Sequence, residues 1–96
     1  MLIKLTEVCG GNNVTPRNPL SLREVFINPE HVVLVREEVR TRQLNEQGMV
    51  GGDLEADHRF SKLTINRGNH GAEIVVVGDP HTVETTLNSN KKLLRG

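Results

Sequence analysis

Apolar residues recur at about every second position through most of this chain and take up helical spacing only near its end. Residues 2–8 set Ile3 and Leu5, with Val8 beyond them, against Lys4, Thr6 and Glu7, which predicts a half-buried first strand. Residues 9–20 carry Gly10-Gly11-Asn12-Asn13, Pro16 and Asn18-Pro19, so they read as a loop. The glycines lack the spacing, the Lys-Ser/Thr ending and the following helix of a phosphate-cradling loop, and a connector is the better reading. Val25 and Ile27 mark a short strand over residues 24–27, which Asn28-Pro29 breaks. A long strand is then expected from His31 to Arg42. One of its faces carries Val33, Val35, Val39 and Thr41, interrupted by Glu37. The other turns from Val32 and Leu34 to Arg36, Glu38, Arg40 and Arg42.

Residues 43–57 hold Gly48, Gly51 and Gly52 among acidic and amide side chains. They are expected to form either an outward arm of a strand pair or a mobile loop. Residues 60–66 alternate again, with Leu63 and Ile65 against Lys62, Thr64 and Asn66, and residues 67–71 form a tight connection with two glycines. The unbroken run Ile74-Val75-Val76-Val77 predicts a central strand covered on both faces. Asp79 then caps a helix through residue 94. Pro80 fits its first turn, Val83, Leu87 and Leu94 lie near one face, and Lys91, Lys92 and Arg95 stand at its C-terminal end.

Composition narrows the class. Ninety-six residues make a single domain over 1–96, with 35% hydrophobic residues and only Phe26 and Phe60 as aromatics, so the core must be aliphatic. A domain this lean in apolar side chains gains from self-association, and a homo-oligomer is expected. Twelve basic residues balance twelve acidic ones, leaving no global field to gather nucleic acid or anionic membrane. Cys9 is the only cysteine, which excludes an internal disulfide and suits a reducing compartment. The start of the chain is charged too early for a signal peptide, and no apolar run approaches a membrane span. The expectation is a soluble cytoplasmic protein that does not insert in membranes.

Candidate chemistry adds little. His31, His58, His70 and His81 fall in four separate segments, without the spacing of metal ligands. Glu55, Asp57 and His58 are close in sequence, yet neighbours on a strand point to opposite faces, and Asp79 beside His81 is explained as a helix cap. No serine or cysteine stands in a nucleophile elbow. Catalytic, cofactor and metal residues are therefore all expected to be absent. Arg36, Arg40 and Arg42 recur on one expected strand face and form the alternative site, a grip on nucleic-acid phosphates. Glu38 interrupts them and no aromatic stands beside them to stack bases, so solvated ion pairing is the plainer reading.

The order of these signals resembles a known family. Ile3-Lys4-Leu5-Thr6 leads to Ile27-Asn28-Pro29-Glu30-His31-Val32, then to Leu63-Thr64-Ile65, a Val-rich strand and a terminal helix with Val83 and Leu87. This resembles the small flagellar proteins of the FlbD/SwrD type and related short bacterial and phage proteins. The resemblance covers the outer thirds of the chain, with residues 12–20 and 43–59 looking inserted, and implies no catalytic residues. The expected fold is α+β and mainly β, a small antiparallel sheet or partly open barrel of about five strands with one C-terminal helix. The expected function is a non-enzymatic protein-interaction or accessory module of bacterial or phage type. The alternative is a nucleic-acid-binding regulator using Arg36, Arg40 and Arg42.

Overall fold

Alternation produces strands at five places in the computed structural model: β1 (Ile3–Cys9), β2 (Ser21–Ile27), β3 (Val32–Glu37), β4 (Phe60–Arg67) and β5 (His70–Val77). Two helices join them, α1 (Val39–Glu46) and α2 (Pro80–Arg95). The structure describes residues 1–11, 13–52, 54–68 and 70–95, leaving aside the side chains of Arg67 and of residues 90–95. The expected places of Leu94, Lys91, Lys92 and Arg95 on the helix surface, and of Asn12, Asp53 and Asn69 in their loops, lie outside the described residues. All strand pairings are antiparallel, in the order β2-β1-β5-β4-β3. The Ile74–Val77 run thus sits in β5, between β1 and β4, as its unbroken apolar character predicts.

A short connection forces this sheet to curl. β2 and β3 are its two edges, yet only residues 28–31 join them. Even fully extended, the step from Ile27 to Val32 spans about 18 Å. The edges of a flat five-stranded sheet stand about 19 Å apart. Residues Pro29–His31 form a 3-10 turn, which shortens the reach further. The end of β2 is therefore drawn round toward β4. Leu2, Phe26 and Ile27 line one cavity with Ile65 of β4. The result is an open five-stranded antiparallel sheet whose edges curl toward each other.

Both faces carry buried residues. Ile3, Leu5, Ile27, Leu63 and Val76 form the main core with Val83 and Leu87 of α2, and Val25, Val32, Val35, Ile65 and Ile74 pack around it. Asp79 starts α2 as a cap: the Thr82 hydroxyl donates to one carboxylate oxygen at 2.6 Å and the Thr82 N–H donates to the other at 3.4 Å. The Thr82 hydroxyl bond holds the Asp79 carboxyl below the usual carboxylate range. Ser61 is fully buried, and its hydroxyl donates to the Gly78 carbonyl at 2.7 Å, tying β4 to the turn between β5 and α2. On the opposite face Val8 and Val75 meet Thr41 and Leu44 of α1 around a cavity of about 170 Å³. Phe60 and Val50 are buried as well. Phe60 neighbours Ser61, whose partner Val76 belongs to the main core, so the pleat directs Phe60 to the α1 side.

The long strand ends earlier than its pattern predicts. β3 stops at Glu37, and residues 39–46 are helical, so Arg40 and Arg42 belong to α1 and not to a strand. Val33, Val35, Val39 and Thr41 keep a period of two on paper. From Val39 onward, however, the burial at Thr41 and Asn45 follows the period of a helix, and Arg, Gln, Leu and Glu favour that state. The arm expected over residues 43–57 is corrected with it. Residues 43–46 finish α1, and the chain then folds back on the first loop. There Leu20 N–H donates to Met49 C=O at 2.8 Å and Gly51 N–H donates to Leu20 C=O at 2.6 Å. Asn45 Nδ2 donates to Glu55 C=O at 2.8 Å, and Val50 is 8% exposed.

Candidate functional site

The residues with most unsatisfied contact area gather where β2 hands over to β3. Asn28 caps the 3-10 turn, its side-chain oxygen accepting from the Glu30 N–H at 3.0 Å, while Pro29 supplies a fixed φ at the first position. The turn delivers the chain into β3, an edge strand that pairs only with β4. Its register slips between Val32 and Leu34, so Val33 has no partner on β4. Val33 is 60% exposed and Leu34 41%, although the main core begins beside them at Val32 and Val35.

Between this edge and α2 lies a groove of about 470 Å³. Pro29 and Val33 line its sheet side, Leu34 borders it at the strand edge, and Pro80, His81 and Glu84 stand on its helix side. The helix can leave this gap because Val83 and Leu87 turn into the core while His81 and Glu84 face away. The arrangement combines an unpaired strand edge, an apolar strip and a helix wall with two ionisable groups. An extended segment fits such a shape by adding to the sheet edge.

The three arginines of the alternative reading fall on two elements. Arg36 lies on β3, on the face away from α2, directly opposite Lys62 of β4. Arg40 is exposed in the first turn of α1. Arg42 is half-buried, with Nη1 3.5 Å from a Glu37 carboxylate oxygen that also takes Arg59 Nη2 at 2.6 Å. The expected row on one strand face therefore does not form, because the chain turns helical after Glu38. Glu38 itself accepts from the Thr41 hydroxyl at 3.2 Å.

No family model matches this chain, and no curated protein or solved structure matches it either. The Ile27–Val32 run that carries the flagellar resemblance is the joint between the two sheet edges, and it borders the groove through Pro29 and Val32.

The remaining candidates are spread over the fold. His31 lies in the 3-10 turn, His70 opens β5 and His81 sits in the first turn of α2. His58 Nδ1 accepts from the Glu55 N–H at 3.1 Å, which closes the loop before β4. Among the described residues, no three His, Cys, Asp or Glu side chains gather as metal ligands would. Burial and the neighbouring Glu7 push the Cys9 thiol up, away from the reactive thiolate. Among the described residues, no helix is long and apolar enough to cross a membrane.

Sequence reasoning did not assign Lys62 or Glu84 to a site. Alternation along β4 does place Lys62 on the face away from Leu63. Its pairing with Arg36 depends on the β3–β4 register, and the bulge at Val33 shifts that register by one residue.

Proposed function

We propose that this chain is a protein-interaction or accessory module, with the β3 edge and the groove against α2 as its docking face. The observation that carries this reading is the exposure of Val33 and Leu34 on an unpaired edge beside that groove. Apolar side chains at an open strand edge favour association, and natural edges are commonly defended by charge. The β2 edge is defended in that way: Ser21, Arg23 and Glu24 are exposed on it, and Arg23 Nε donates to Glu7 at 3.1 Å. On the β3 edge the charges, Arg36 and Glu37, stand at its end, and residues 32–35 have only the bulge. A second copy of the chain and an unrelated partner are both compatible with such a face. The bacterial or phage accessory role implied by the Ile27–Val32 resemblance accords with a partner-binding chain.

The test compares the wild type with a variant carrying Val33→Asp and Leu34→Asp in a pull-down from the native host. Both side chains are exposed, so circular dichroism and thermal midpoint should stay close to the wild type. The reading expects a protein held by the wild type to be lost from the variant. Equal retention by a folded variant would place the docking face elsewhere. The nucleic-acid alternative predicts retarded oligonucleotide in a gel shift, weakening steeply with salt. The docking reading expects no retardation.

A further inference from the structure

Arg36 and Lys62 stand directly opposite each other across β3 and β4, on the face away from α2. Like charges in that position, with Cβ atoms about 5 Å apart, oppose the pairing of their strands. No ion pair relieves them among the described residues, where the acids that form bridges are Glu7 and Glu37. The other acids near this face are Glu38, which accepts from the Thr41 hydroxyl, and Glu73, which lies on β5 opposite Thr64 and so diagonal to Lys62. Arg36 shares its strand face with Leu34, two residues before it. An apolar position and a doubled cation therefore alternate along the open edge, just past the groove.

Resting on the docking face above, we propose that its occupant is an extended acidic segment that adds to β3. An apolar side chain of that segment covers Leu34, and a carboxylate two residues away pairs with Arg36, with Lys62 one strand further in adding its charge. Because Val33 is bulged, regular pairing is confined to residues 34–37, and Val33 instead contributes its side chain to the groove. The same charges disfavour a second copy of the chain at this edge. Two β3 strands meeting antiparallel at Val35 set their Arg36 side chains diagonal to each other across the two-fold axis, each with Lys62 behind it. Glu84, on the opposite wall of the groove, keeps the acidic group on the Arg36 side.

A random dodecapeptide display library selected on the full-length chain tests this, with the binding site of enriched peptides read from backbone amide shifts. The expected peptides carry Asp or Glu at a position alternating with apolar residues, and they shift the amides of residues 34–37. Their affinity falls about tenfold in a variant with Arg36→Glu and Lys62→Glu. That variant keeps a like-charged pair on the same strands, so its fold is expected to persist, as circular dichroism checks. Peptides that shift β3 without any acidic preference overturn this inference while leaving the docking face in place. Peptides that leave β3 unshifted, or a library that yields none, overturn both. A mass that doubles from 10.7 kDa on concentrating, lost with Leu34→Asp, assigns the edge to a second copy and overturns the acidic partner.

Discussion

Replacing Phe60 by alanine should destabilise the fold by about 3–5 kcal/mol, a large part of the roughly 5–15 kcal/mol available to a domain of this size. Phe60 is fully buried and is the only aromatic side chain in the interior, since Phe26 is 57% exposed. It lies on the face that α1 and the loop after it cover. Its carbonyl also accepts from the Glu38 N–H at 2.8 Å, where β3 passes into α1. Removing the ring leaves that backbone bond in place but empties the second core against which α1 packs. Phe26→Ala is the internal control and should cost less than about 1 kcal/mol. Urea denaturation of the two variants reads the difference directly. Near-equal costs would mean that the α1 side contributes no packed core.

The second large effect is expected at Gly78, which links β5 to α2. Its φ is 122°, in the region that side chains rarely adopt, and an added Cβ would stand 3.2 Å from Val83 Cγ2. Val83 is 2% exposed in the main core, so it has little room to yield. The Gly78 N–H donates to Arg59 C=O at 2.8 Å and its carbonyl accepts from buried Ser61, so the backbone is held from both sides. Backbone strain and crowding of Val83 together should make Gly78→Ala cost about 2–4 kcal/mol. Gly48 also has a positive φ, 74°, but an added Cβ there meets nothing within 4 Å. Gly48→Ala carries the strain without the crowding and should cost about 1–2 kcal/mol. The difference between their thermal midpoints reads the Val83 contact together with the harsher φ of Gly78, and equal midpoints would remove both.

The five strands, the central place of residues 74–77 and the capped terminal helix were legible because local pattern and final environment agree there. Ile3 and Leu5 alternate and are buried, and Asp79 caps where the sequence places a cap. The helix after β3 was not legible. Val39 and Thr41 extend the alternation of β3, and what decides their state is tertiary, the burial of Thr41 and Asn45 against the sheet. Arg40 and Arg42 were misplaced for the same reason, while Arg36 does lie on β3, and Arg42 turns out to be held by Glu37. The groove could not be read at all. It arises where two segments distant in sequence approach, and its width follows from which α2 residues the core takes up. The Arg36–Lys62 opposition depends on register, which a one-residue bulge resets.

The central claim is that partners dock on the β3 edge beside α2. Amide hydrogen exchange, recorded on the free protein and again with its partner bound, tests it most directly. On β3, the amides directed away from β4 have no strand partner in the free chain and should exchange quickly. These amides, within residues 33–37, should slow on binding, together with protection at the start of α2 around His81 and Glu84. Unchanged exchange on β3, with new protection on β2 or around Leu2 and Phe26, would contradict it.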